Sequence, residues 1–229
     1  MTNPDNNKAE FDKYSGQYKK LLKDSFPRFF QNIDYYSEYK VDKVFNLRKK
    51  EKTKTILDFG CGVGLSLKFF QKYFPDVILW GYDSSSLSLK RIINDKNSIN
   101  LTDSIESIPK NYFDVVFIAN TFHHINEIEH EKTLNLLKSL VKPDGLIYIF
   151  EHNSLNPVTK IIFSRSDLDK NAKMVPIKRF YELANSCEMK VVLKKYTLFF
   201  PQQLSFLKNL EKFISWVPLG TQYLIVMQK

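Results

Sequence analysis

Thr55-Ile56-Leu57-Asp58-Phe59-Gly60-Cys61-Gly62-Val63-Gly64 reads as a buried strand that runs into a glycine turn. The helical pattern Leu65 to Tyr73 follows at once. Glycine has no Cβ and tolerates positive φ, so such a backbone turns sharply and lets a ligand approach closely. The next helix aims its free N–H groups at that ligand, which suits a carboxylate or a phosphate. A dinucleotide fingerprint would carry its third glycine one residue later, where Leu65 stands. The acid that ends the strand, Asp58, suits a cationic amino group better than a pyrophosphate.

Working outward, strands and helices alternate. Val77 to Tyr82 is a second strand, closed by Asp83 and the serines 84–86. Ser86 to Ile93 reads as a helix and Ile99 to Leu101 as a short strand. Phe113 to Ala119 is continuously apolar apart from Asp114, as expected of a strand covered on both faces. Glu129 to Leu140 is an amphipathic helix stopped by Pro143 and Gly145, and Leu146 to Phe150 is a fifth strand. This order predicts an α/β fold, a doubly wound sheet with helices on both faces. Val191 to Leu198 and Tyr223 to Gln228 add two late strands, with helical spacing from Leu204 to Trp216 between them. They complete a seven-stranded, mostly parallel sheet with an antiparallel C-terminal edge strand. At the other end, Phe11 to Phe45 is helical, and Pro27 divides it into two short helices that form an N-terminal cap.

The 229 residues, 43% hydrophobic and 14% aromatic, describe a packed globular chain. No apolar run reaches the roughly 18–20 residues of a membrane span, and Met1 to Glu10 is polar, unlike a secretion signal. Cys61 and Cys187 are too few to staple such a domain, so a reduced cytosolic setting is expected. The formal charge of +9 is met by a lysine-rich solvated surface or by an anionic partner.

Asp83 ends the second strand, with Ser84 behind it. A carboxylate there can accept from both hydroxyls of a ribose. Asp103 and Ser104 follow the third strand, where an acid can accept from an adenine amino group or close an Asx-turn. These stretches, with Phe113 to Ile125 and Leu140 to Ile149, resemble in order the motifs of class I S-adenosylmethionine-dependent methyltransferases. The resemblance implies a Rossmann-like domain: a cap at 1–50, a cofactor-binding core at 53–153, an acceptor-side insert at 154–190 and edge strands at 191–229. It implies S-adenosylmethionine as cofactor, with Asp58, Gly60, Gly62 and Gly64 near its methionine and ribose. Asp83 and Ser84 would meet the ribose, Asp103 and Ser104 the adenine edge, and Asn120 would lie beneath the cofactor. Tyr14 and Tyr18, one helical turn apart, look like the segment that folds over the cofactor in such enzymes; packing on the core explains them equally.

The chain has four histidines, all between positions 123 and 152. His123, His124 and His152 follow the predicted strand ends at the ligand-binding edge of an open α/β sheet, and Glu151 precedes the last. These four are the candidates for removing a proton from an acceptor. His130 reads as a surface residue of its helix. No H-x-x-x-H spacing occurs, so no metal site is expected. Glu151 to Thr159, Asp167 to Ala172 and Trp216 to Leu224 are similar to a subgroup of bacterial methyltransferases that modify sugars, glycolipids or related metabolites. The expected reaction is methyl transfer to an oxygen or nitrogen of a small molecule. With Lys160, Arg165 and Lys173 nearby, that acceptor can be anionic, for example a phosphorylated, lipid-linked sugar. The apolar stripe from Leu204 to Trp216 fits core packing or peripheral contact with a membrane.

Three other readings compete. Nucleic-acid methylation of a base amino group would call for an Asn/Asp-Pro-Pro-Tyr/Phe turn, and the chain has Asn120-Thr121-Phe122-His123 instead. A nicotinamide dehydrogenase is opposed by the glycine spacing. A catalytically inactive binding subunit is opposed by the presence of every turn glycine and of Asp83.

Overall fold

Strand β1 (Thr55–Phe59), buried at every position, lies near the middle of a seven-stranded sheet of order β3-β2-β1-β4-β5-β7-β6. The computed structural model describes residues 32–48, 53–94 and 98–229. The remaining strands are β2 (Ile78–Tyr82), β3 (Ile99–Thr102), β4 (Phe113–Ala119), β5 (Val141–His152), β6 (Lys190–Thr197) and β7 (Gln222–Gln228). The first five run parallel; β7 is antiparallel to both of its neighbours, β5 and β6. The antiparallel strand expected at the C-terminus is therefore inserted inside the sheet, and β6 forms the rim.

Alternation along the strands builds a core on each face. Leu57, Val116, Ile118, Ile147, Ile149 and Ile225 point to one side. They pack on α4 (His130–Leu140) and α6 (Ile177–Ser186) through Leu134, Leu137, Phe180 and Leu183. Their neighbours Ile56, Val115, Phe117, Tyr148, Phe150 and Leu224 point to the other side. There they meet Val41 and Val44 of α1 (Ile33–Leu47) and Phe70 of α2 (Leu67–Tyr73), with Phe74 just beyond it. Burial on both faces explains the unbroken apolar run of β4. Its one acid, Asp114, accepts from the Lys54 and Thr55 amides and from Lys142 at 2.8–2.9 Å, pinning β1 to β4 at the end away from the site.

Several elements differ from their sequence readings. The helix expected over Ser86 to Ile93 is only the turn α3 (Ser86–Leu89). The insert contains two helices that its sequence pattern does not announce, α5 (Pro157–Arg165) and α6. Asn156 caps α5 by accepting from the Thr159 amide at 3.0 Å, with Pro157 in the first turn. The stripe from Leu204 to Trp216 is a 3-10 segment (Gln202–Leu210) followed by α7 (Glu211–Ile214); Leu204, Phe206, Leu210, Phe213 and Trp216 are exposed, and only Leu207 and Ile214 are half-buried. The first of the two cap helices expected, with Tyr14 and Tyr18, lies outside the described residues. No helix among the described residues is long and apolar enough to cross a membrane.

Candidate active site

The chain leaves β1 outward to β2 and β3, then returns to β4 on the other side of β1. That reversal opens a crevice at the C-terminal strand ends, where open α/β sheets bind ligands. The glycine turn occupies it. Gly60, Gly62 and Gly64 have φ of 76°, 53° and 78°, a region that disfavours other residues. The Gly60 and Cys61 amides donate to the Tyr82 carbonyl, and the Gly62 amide donates to Asp83 Oδ2 at 2.7 Å. A Cβ on Gly60 would come within 2.6 Å of the Thr121 hydroxyl, whereas one on Gly62 would point into open space. Gly62 is thus where a ligand can lie against bare backbone.

The crevice deepens into a cavity of about 660 Å³, within the usual range for a small-molecule site. Of the residues expected at a cofactor, Asp58, Gly60, Gly62, Asp83, Ser84 and Asn120 line it. Asn120, at φ 54°, holds the turn after β4 and accepts from Gln222 Nε2 at 3.0 Å. The other expected residues stand elsewhere. Gly64 does not reach the cavity; its amide donates to the Cys61 carbonyl and closes the turn. Asp103 is exposed and Ser104 turns its hydroxyl to Glu106 at 2.8 Å, so Ile105 and Glu106 line that end instead. Glu151 is wholly buried behind the wall. Tyr14 and Tyr18 lie outside the described residues.

Opposite the glycine turn lie three imidazoles. His123 is buried between two carboxylates: Nδ1 is 2.6 Å from Glu151 Oε2, and Nε2 is 3.2 Å from Asp169 Oδ1. Burial disfavours the charged ring, but the two carboxylates outweigh it and raise its pKa to about 9. Glu151 is held down to about 2 against its own burial, chiefly by the charge of His123. Its other oxygen accepts from the Thr121 and Phe122 amides at 2.9 and 2.8 Å, so it also fixes the turn that carries the histidines. His124 and His152 behave in the opposite way. Burial, with the nearby charge of His123, lowers them to about 3 and about 4, so both are neutral near pH 7. His130 is not a surface residue. It is buried, with Nε2 3.1 Å from the Phe122 and Ile125 carbonyls, bracing the same turn from behind.

Two residues of the site were not foreseen. Asp169 comes from the insert and closes the histidine cluster; its stretch was conspicuous in sequence, but its target is 46 residues away. Lys40 of α1 is buried on the cavity wall, and burial lowers its pKa to about 8 against the pull of Glu151 and Asp58. The signal available was a lysine among the inward residues Ser37, Val41 and Val44. Asp58, also buried, is pushed up to about 8 by burial and by Asp83, with Lys40 opposing. No direct ion pair joins Asp58 to Lys40. Although no metal-ligand spacing is visible in sequence, the turn and the insert bring one ligand atom each of His123, His124 and Asp169 within 4.8 Å of one another.

Comparison with known proteins agrees with this geometry. Over 126 residues the chain is 30% identical to an uncharacterized protein of Rickettsia prowazekii, covering 50% of this chain and 49% of that one. It is 29% identical over 128 residues to norreticuline-7-O-methyltransferase of Papaver somniferum, covering 52% and 34%. The matches thus span half or less of those relatives' length. A SAM-dependent methyltransferase from Archaeoglobus fulgidus shares the fold with a TM-score of 0.65 at 16% identity, covering 87% of this chain and 96% of that one. The family described as a methyltransferase domain matches residues 26–197. With that match over most of its length and the 3-2-1-4-5-7-6 sheet beneath it, the chain belongs to the methyltransferase-domain family, in its class I fold.

Proposed function

We propose that the protein is an S-adenosylmethionine-dependent methyltransferase acting on an oxygen or nitrogen of a small molecule. The observation that carries the reading is one cavity lined both by a bare-backbone glycine turn and by three histidines, with the buried His123 at their centre. The residues fit the cofactor. Asp58 and Lys40, buried and lining the same cavity, complement the zwitterion of an amino acid, whose ammonium would draw the raised Asp58 carboxyl into its charged form. Asp83, on the cavity wall, accepts from the Gly62 and Ser85 amides, which fixes a carboxylate where a ribose would lie. When bound, the cofactor supplies an electrophilic methyl group on a sulfonium centre, and the acids Asp58 and Asp83 on the cavity wall suit that positive charge.

On the acceptor side, His123 is protonated between its carboxylates and does not take a further proton. Its charge keeps His124 and His152 neutral, and these two residues of the cavity wall are the proton acceptors of this reading. Glu151 acts through His123 and the 121–122 backbone as a positioning residue. Thr159, Ile162 and Phe163 of α5 complete the wall, so the acceptor's shape is read largely by the insert. The O-methyltransferase among the relatives supports an oxygen acceptor.

The test is calorimetric titration with S-adenosylmethionine, S-adenosylhomocysteine and NADH. Binding of both sulfur compounds and not of NADH is expected. Binding of NADH alone would overturn the reading. His152→Ala and His124→Ala should leave cofactor affinity unchanged and lower turnover on an acceptor identified by transfer of a labelled methyl group.

A further inference from the structure

The segment Gln202–Leu210 with α7 is amphipathic the wrong way round. Its inward face is charged. Glu211, 2% exposed, accepts from the Phe199 amide at 3.1 Å, contacts the Tyr39 hydroxyl, and pairs with Lys43 at 3.4 Å. Lys208 meets Asp42 at 2.6 Å. Its outward face is aromatic and aliphatic: Phe206 is 74% exposed, Phe213 65% and Trp216 73%, with Leu210 between them. A segment that buries Glu211, ties Lys208 inward and exposes its rings has its apolar face turned towards something other than water.

α5 is tied to the chain that follows this segment. Asn156 Nδ2 donates to the Leu219 carbonyl at 2.6 Å, and Thr159 Oγ1 to the Thr221 carbonyl at 2.9 Å, which stitches α5 to the chain just beyond Trp216. Val158 and Ile161 of α5 are exposed on the outside, while Thr159, Ile162 and Phe163 line the cavity on the inside. One helix therefore separates the acceptor pocket from the apolar face. Exposed cations fringe it: Lys160 and Arg165 on α5, and Lys212, whose ammonium is 4.9 Å from the Phe213 ring centre. Rings backed by lysines, on a chain of net charge +9, complement an anionic bilayer surface.

We propose that the outer face of α5 and the 202–219 segment docks on an anionic lipid bilayer. The docked helix brings the pocket to the membrane surface, so the acceptor is an amphiphile whose polar head enters beside α5 while its tail stays in the lipid. That last step rests on the methyltransferase reading; the docking does not.

The experiment is flotation of the full chain with vesicles of phosphatidylcholine containing phosphatidylglycerol, and with phosphatidylcholine alone. Binding to the mixed vesicles, at least about tenfold weaker on the neutral ones, is expected because basic residues close to an anionic surface are attracted to it. The exposed triple variant Phe206→Ser/Phe213→Ser/Trp216→Ser should lose binding and still bind S-adenosylhomocysteine, which shows that it is folded. The chain has two tryptophans, so in a Trp80→Phe background quenching by brominated acyl chains reports on Trp216 alone. Three results would overturn the docking: wild-type protein that does not float, a triple variant that floats like wild type, or a wild-type dimer made monomeric by the triple substitution. The last would assign the face to a second copy of the chain. Loss of S-adenosylhomocysteine binding by wild type would instead sink the methyltransferase reading and leave the docking standing.

Discussion

Glu151 Oε2 and His123 Nδ1 approach to 2.6 Å with both side chains buried, and the other ring nitrogen of His123 faces Asp169. The contact joins the end of β5 to the turn after β4, so one carboxylate sets both the charge of the histidine cluster and the backbone that carries it. Glu151→Ala leaves a buried imidazolium with one carboxylate and two amides without their acceptor. Breaking a buried pair in this way costs about 3–5 kcal/mol. Urea unfolding should show a loss of that order. A change within 1 kcal/mol would mean that the pair contributes little to the fold.

The same pair predicts a pH dependence of stability. His123 is raised from 6.5 to about 9, so its contribution is complete below 6.5 and fades as pH rises through 9. Glu151 is lowered from 4.5 to about 2, so its contribution is complete above 4.5 and fades as pH falls through 2. The pair should contribute most between pH 4.5 and 6.5, with a decline towards pH 9. Urea midpoints measured across this range test it, and His123→Gln should flatten the alkaline limb.

Asp83 bridges the glycine turn and the end of β2 through the Gly62 and Ser85 amides. Asp83→Ala should therefore weaken S-adenosylhomocysteine binding by more than about tenfold, the equivalent of one charge-assisted hydrogen bond. Calorimetry checks this, and unchanged affinity in a folded variant would remove Asp83 from the site.

Lys40 gives a sharper discrimination, because its proposed partner is the cofactor's carboxylate alone. Lys40→Met should lower affinity for S-adenosylhomocysteine while leaving that for adenosine unchanged. An equal loss for both ligands would show that Lys40 shapes the pocket instead.

The depressed pKa values of His124 and His152 predict that turnover is flat through neutral pH. The acid limb should fall near pH 4 rather than at the ordinary imidazole value of 6.5. As pH drops, protonation removes the acceptor and the rate falls. A limb near 6.5 would show that the base is a more exposed group.

From sequence alone, the order of strands and helices from Thr55 to Phe150, the glycine turn, and the acids Asp58 and Asp83 were all legible. These features are local: a strand's burial, a turn's need for glycine and an acid at a strand end are written within a few neighbouring residues. The placement of β7 between β5 and β6, the reach of Asp169 from the insert to His123, and the burial of Lys40 were decided by tertiary packing. So was the division of labour among the histidines, which are alike in sequence. Two carboxylates from distant segments hold one ring charged, while burial keeps its neighbours neutral. Periodicity likewise marked Leu204 to Trp216 as amphipathic but could not say which side faced the protein. The charged face turned inward because Tyr39, Asp42 and Lys43 of α1 were there to meet it.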